Sequence, residues 1–230
     1  MEKTAHYRHE LKYEIDYLNY LSIRQRLSPI MARDPHTQTN GRYRIRSVYF
    51  DNIYDQALRE KVNGIPVREK FRIRYYNDDF SYIALEKKIK RDGLCMKIDA
   101  VLTEQECRKL LNGNTDWMLM HPAPLVRELY TKMKNHLLRP RVLVSYLREP
   151  YVYRVGNVRI TFDSDIRTSL YCQRFLNSEN HDICATDTPK TIIMEVKYDG
   201  FLPEIIADLI QTDGVRQTAF SKYGVCRRFG

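Results

Sequence analysis

The sequence predicts an α+β fold: a closed antiparallel β-barrel enclosing a tunnel, with helices packed on its outside. Two observations carry this. Several segments alternate strictly between apolar and polar residues, as strands with two different faces must. Their polar faces are also biased toward Arg and Lys, with single carboxylates recurring two residues before a lysine, at Glu10-Lys12, Glu86-Lys88 and Glu195-Lys197. A solvated sheet face alternates too, but it mixes charge signs more freely. A closed barrel can turn polar side chains inward around a channel and pack its apolar face outward beneath helices.

The elements follow in order. Residues 6–15 alternate, with Arg8, Glu10, Lys12 and Glu14 on one face and Tyr7, His9, Leu11, Tyr13 and Ile15 on the other, which reads as a strand. Asp16 can cap a helix that turns Leu18, Leu21 and Leu27 toward the core and ends near Pro29. Asn40-Gly41 marks a turn into a strand whose Arg42, Arg44, Arg46, Val48 and Phe50 share a face. A short helix from Asp55 to Val62 and a turn at Asn63-Gly64 lead to a strand that places Arg68, Lys70, Arg72, Arg74 and Tyr76 together. The runs before and after Asp92-Gly93 form a hairpin that carries Glu86, Lys88 and Lys90 on one arm and Lys97 and Asp99 on the other.

Thr103 and Glu106 form a capping box, with Gly113 placed to end the helix that it opens. A second helix runs from Pro124 to Leu138 and stops before Pro140; Trp117 beside Met118 and Met120 reads as helix packing. Strands return at 141–153 and at 158–166, the latter with Arg159, Thr161 and Asp163 on one face. A polar loop spans 177–189, a strand pairs Glu195 with Lys197 on one face, and a helix from Pro203 to Gln211 precedes a basic tail.

Composition sets bounds on function. At 230 residues, with 43% hydrophobic and 29% charged residues, the chain can bury one core, so a single domain over 1–230 is expected. Its 17 tyrosines fit the half-buried surface of a sheet. A formal net charge of +9 points to an anionic partner. A nucleic-acid binder spreads such charge over an outer face, whereas a phosphate enzyme turns it inward; the strand pattern favours the second, and no nucleic-acid partner is expected. Five cysteines without a CxxC pair read as reduced thiols, and no apolar run approaches a membrane span, so a cytoplasmic protein is expected. There is no Walker A loop, GxSxG or HExxH, and the six histidines lack spaced partners. Carboxylates beside a cationic lumen suit a hard divalent ion shared with phosphate oxygens, Mn²⁺ or Mg²⁺.

One ordered set of short motifs goes further. It comprises Arg8-His9-Glu10-Leu11-Lys12-Tyr13, Ser47-Val48-Tyr49-Phe50-Asp51, Phe71-Arg72-Ile73-Arg74-Tyr75-Tyr76 and Leu85-Glu86-Lys87-Lys88. Arg139-Pro140 then leads to Tyr146 and Arg148, followed by Val158-Arg159-Ile160 with Asp163, Met194-Glu195-Val196-Lys197 and Phe220-Ser221-Lys222. In this order and spacing the chain resembles the triphosphate tunnel metalloenzymes, most closely the catalytic domain of the vacuolar transporter chaperone (VTC) polyphosphate polymerases.

The resemblance implies a tunnel that takes ATP and inorganic polyphosphate or triphosphate. It implies catalytic roles for Arg72, Arg74, Lys88, Arg148 and Arg159, and substrate contacts from Arg8, Lys12, Lys97, Lys197 and Lys222. Glu195, with Glu10, would hold the metal ion. The expected activity is transfer of the γ-phosphate of ATP to a polyphosphate chain; hydrolysis of triphosphate or nucleoside triphosphates, and polyanion binding without catalysis, are the alternatives. For Glu195 a structural ion pair with Lys197 or a neighbouring arginine is the competing role. Two positions depart from the pattern: Arg8 stands where the wider superfamily has a carboxylate, and Ala219 where the VTC pattern has a lysine, with Arg216 as a candidate substitute.

Overall fold

The computed structural model describes residues 7–177, 182–186, 190–212 and 215–229. In chain order its elements are β1 (His9–Ile15), α1 (Tyr17–Leu27), β2 (Ala32–Arg33), β3 (Tyr43–Asp51), α2 (Gln56–Val62), β4 (Val67–Tyr76), β5 (Asp79–Arg91), β6 (Leu94–Leu102), α3 (Glu104–Leu111) and α4 (Pro124–Asn135). Then follow β7 (Arg139–Tyr153), β8 (Val158–Ser169), β9 (Ile183–Cys184), β10 (Ile192–Tyr198), α5 (Glu204–Ile210) and α6 (Lys222–Cys226). Every ladder is antiparallel, and the sheet runs β1-β10-β8-β7-β3-β4-β5-β6, with β2 added to β7 and β9 to β8.

The local signals are realised where they rest on short-range chemistry. Asp16 accepts a hydrogen bond from the Asn19 amide at 2.7 Å and opens α1. Thr103 and Glu106 form the reciprocal capping box of α3, and Gly113 follows it at φ 81°. Asp92 and Gly93 take φ 49° and 85°, the two positive values that a tight hairpin turn requires. Alternation also sorts β4: Phe71, Ile73 and Tyr75 lie buried on the outer side of the sheet, packed with α3 and α4, while Arg72 and Arg74 face the opposite way. A second apolar layer holds α1 and α5 against β1, β8 and β10.

Four expectations are corrected. The sheet is not a closed barrel: among the described residues no ladder joins β1 to β6, and Arg8, just before β1, forms an isolated bridge with Cys95 through two hydrogen bonds of 2.9 Å. Farther along β1, its free edge is taken by the C-terminal segment, as the Thr218 amide donates to the Lys12 carbonyl at 2.8 Å and Tyr13 bridges Gln217. That edge is therefore not available to β6. On α1, Tyr20, Ile23 and Leu27 form the buried stripe, while Leu18 is 77% exposed and Leu21 also faces solvent.

On β3 the cavity side is Tyr43, Ile45, Ser47 and Tyr49, fixed by pairing of Ser47 with Arg74 and Tyr49 with Arg72. Its arginine face points away, where Arg46 is buried against Asp182 and the Arg174 carbonyl. The basic tail contains α6, whose Lys222, Tyr223 and Cys226 are buried among β3, β7 and β8. Of the loop predicted over 177–189, residues 178–181 and 187–189 lie outside the described ones, and the short β9 sits between them. The 3-10 turn Asp116–Met120 buries Met118 but leaves Met120 exposed.

Candidate functional site

The inner face of the curled sheet surrounds a cavity of about 800 Å³. Among the described residues eleven Lys and Arg side chains line it against two carboxylates, Glu10 and Glu195. The cations come from α2, β1, β4, β5, β7, β10 and α6, so the charge is assembled by tertiary structure from strands far apart in sequence. α1, α3, α4 and α5 pack on the outer face, whereas α2 and α6 border the cavity, and an inner apolar cluster including Tyr146, Ile193 and Tyr223 forms at the α6 end.

The deep part of the cavity is cross-linked by ion pairs. Glu195 is 5% exposed and touches Lys222 (2.9 Å), Arg148 (3.3 Å), Lys12 (3.5 Å) and Lys197 (3.5 Å). Burial pushes its carboxyl up, but Lys222, Lys12, Lys197 and Arg148 together hold it well below the usual range. Glu10 behaves alike: burial opposes ionisation, and Lys88 at 2.6 Å, Lys12 at 3.3 Å and Lys197 at 3.8 Å outweigh it.

Beneath these, Asp163 is fully buried and held by both branches of Arg148, at 2.6 and 2.7 Å, and by Lys222 at 2.5 Å. Glu86, 1% exposed, accepts from Arg72 at 2.6 Å and Lys97 at 3.1 Å. The competing role for Glu195 is therefore present: it is an ion-pair hub whether or not it also holds a metal. Lys197 carries the cost of this crowding, for burial lowers it to about 8 despite Glu195 and Glu10.

Of the expected positions, Lys12, Arg72, Arg74, Lys88, Arg148, Lys197, Lys222, Glu10 and Glu195 line the cavity. Three do not. Arg8 turns to Asp199 at 2.9 Å and to the Asn157 carbonyl at the end of its strand. Lys97 is drawn to Glu86 and Asp99 at the sheet edge, half in solvent. Arg159 shares the inner-face register but pairs with Asp34 at 2.8 Å and donates to the Tyr43 hydroxyl at 2.8 Å. Arg216 is exposed and does not replace the missing lysine, so Ala219 leaves that part of the wall uncharged.

Sequence reasoning missed the phenols. Tyr49 and Tyr146 line the cavity as acceptors from Arg72 (2.8 Å) and Arg74 (3.2 Å), and hold those guanidinium groups in place. Burial raises the Tyr49 hydroxyl pKa, yet Arg72, Arg74 and Lys222 bring it below its ordinary value. Alternation placed Tyr49 opposite Arg72 only once the strand order was known.

The carboxylates also bear on a metal ion. Among the described residues no group of three or more His, Cys, Asp or Glu could hold one unaided. Glu10 and Glu195 lie on paired strands one diagonal step apart, Glu10 opposite Lys197 and Lys12 opposite Glu195, and share both lysines. Two hard oxygen donors on one wall fit Mg²⁺ or Mn²⁺ when phosphate oxygens complete the shell.

One solved structure shares this fold at a TM-score of 0.50, and a second is similar. A solved Bacillus halodurans protein, named as a proposed adenylate cyclase, matches with a TM-score of 0.50 at 14% identity, covering 91% of this chain and 88% of its own. A Pyrococcus horikoshii protein matches with a TM-score of 0.48 at 13% identity, covering 97% of this chain and 100% of its own. No curated protein matches the sequence. The family model described as the VTC domain matches residues 7–229, almost the whole length, and the chain belongs to that family.

Proposed function

We propose that this domain is a polyphosphate polymerase-like phosphotransferase that moves the γ-phosphate of ATP onto inorganic polyphosphate. The observation that carries the reading is the cavity itself, with eleven cations to two carboxylates in a space large enough for a triphosphate. Phosphoryl transfer asks of a protein mainly positioning and charge neutralisation, which this wall supplies.

Arg72 and Arg74, two residues apart on one strand face and braced by Tyr49 and Tyr146, present planar guanidinium forks to phosphate oxygens. Arg148 and Lys222 neutralise charge beside Tyr146, from a position fixed by Asp163. Lys12 and Lys88 do so beside Glu10. Glu10 and Glu195 would hold the divalent ion against substrate phosphates, where it supplies electron withdrawal from the transferring group.

Hydrolysis is the second reading, favoured by one observation: the cavity opens among exposed residues from Val62 to Pro66, so water has a path to it. Incubating the protein with ATP and Mn²⁺ and resolving the products on a polyphosphate-staining gel separates the readings. A ladder is expected. Free phosphate alone would establish the hydrolase, and unchanged ATP would leave a polyanion-binding module.

A further inference from the structure

At its outer end the cavity wall changes character. Lys61 at the end of α2, Arg68 and Lys70 on β4, and Lys90 on β5 all line it, and among the described residues none has a carboxylate within ion-pairing distance. Arg68 is paired directly across the strands with Lys90, and Lys70 with Lys88. Like charges in opposing positions are destabilising, and two successive such pairs on one face are a standing cost to the fold. Only Lys88 escapes it, by reaching Glu10. The Lys70 ammonium lies 4.8 Å from the centre of the Tyr223 ring.

We propose that Lys61, Arg68, Lys70 and Lys90 form a separate anion subsite at the mouth of the cavity, one that takes a multiply charged phosphate anion without help from a metal ion. The proposal rests on the phosphate-handling reading above and deepens it. In the deep zone an incoming phosphate must displace Glu10 or Glu195 from their lysines, or wait for a cation to engage those carboxylates. At the mouth it meets cations with no carboxylate to release: Arg68 gives up only a hydrogen bond to the Ile65 carbonyl, and Lys70 only its place over the Tyr223 ring. A linear phosphate anion is therefore held first at the mouth, and the metal ion matters only for its deeper end.

A second property follows. Burial, Arg68, Lys12 and Lys61 lower the Lys70 ammonium to about 7, with Asp51 opposing them. Facing it are Lys12 from β1, Asp51 from β3, Lys61 from α2, Lys88 from β5 and the Tyr223 ring from α6. An anion at the mouth favours the protonated form, so binding above neutral pH draws a proton from solution.

Calorimetric titration of inorganic tripolyphosphate into the protein in EDTA tests this. Wild type is expected to bind, and Lys70→Met and Arg68→Met to weaken that binding about tenfold each, the scale of one lost charge-assisted contact. Repeated at pH 8 in buffers of different ionisation heat, the titration should show proton uptake by wild type that Lys70→Met abolishes. Because these side chains repel one another, the variants should melt no lower than wild type, and a melting curve checks that they fold.

Unchanged binding by both variants in EDTA overturns the subsite. Binding by wild type only when Mg²⁺ is present also overturns it, while leaving the phosphate-handling reading intact. Absence of binding under either condition removes both.

Discussion

The deep and outer parts of one cavity solve the same electrostatic problem in opposite ways. Around Glu195, Glu10, Asp163 and Glu86, cations and carboxylates interlock, and burial is tolerated because nearly every charge has a partner within 4 Å. Around Lys70 the half-buried cations have, among the described residues, no carboxylate within ion-pairing distance, and the exposed stretch 62–67 borders them. The difference teaches that cation count alone does not locate anion affinity. A charge already engaged inside the protein must be released before it can serve a ligand, whereas an unengaged one is poised.

The comparison is broken most directly at Glu195. Removing one member of a buried ion-pair network costs about 3–5 kcal/mol, and each kcal/mol lowers Tm by about 2–4 °C in a domain of this size. Glu195→Gln should therefore melt roughly 6–20 °C lower by these scales, and adding Lys222→Met should restore part of the loss. In the same variant ATP turnover should fall by orders of magnitude. An unchanged melting temperature would show that the deep zone is not held by its ion pairs and would leave Glu195 a metal ligand only.

The pH dependence of stability sharpens the contrast. The deep carboxylates have folded pKa values below the unfolded ones, so their stabilisation is fully present above pH 4.5 and is lost as pH falls through the depressed folded values. Lys70 acts in the other sense. Its folded value of about 7 lies below the ordinary 10.5, so the unfolded chain binds more protons between the two and stability rises with pH across that window. Lys197, at about 8, adds to the same rise above pH 8. Lys70→Met should raise Tm by a few degrees at pH 7, about 1 kcal/mol on the usual scale, and flatten the rise toward pH 10. A variant that melts lower at pH 7 would show that Lys70 is not held at a cost.

The smallest effect is that of salt. Screening shortens from about 10 Å at 0.1 M to about 3 Å at 1 M and acts on exposed charges far more than on buried pairs. Added NaCl should stabilise wild type slightly by relieving the mouth, and Lys61→Met with Arg68→Met should remove that gain. Equal salt responses from wild type and the double variant would place the repulsion elsewhere.

How much of this could be read beforehand varies with distance along the chain. Caps, turns and the β5–β6 hairpin depend on neighbours within a few residues, and Asp16, Thr103 with Glu106, and Asp92-Gly93 all behave as the sequence indicates. Nine of the twelve expected site residues line the cavity: alternation on β1, β4, β5 and β10 assigns seven of them to one face, while Arg148 comes from β7 and Lys222 from α6. Arg8 and Lys97 were lost to partners at strand ends and sheet edges, where a long side chain can leave the face that alternation gives it.

The sequence by itself determined that these strands have one cationic and one apolar face, and that the cationic faces belong together. Only the tertiary structure decided which face of β3 turns inward, since Arg44-Ile45-Arg46-Ser47 alternates equally well either way until Ser47 is paired with Arg74. It also decided which cations are neutralised, because Lys88 meets Glu10 across 78 positions of sequence and Lys222 meets Glu195 across 27. Closure was decided the same way, by competition for the edge of β1 between β6 and the segment at Gln217 and Thr218. The physical reason is common to all three. Alternation is a property of one strand's backbone, whereas register, edge occupancy and charge pairing depend on which strands meet, and a period of two carries no information about that.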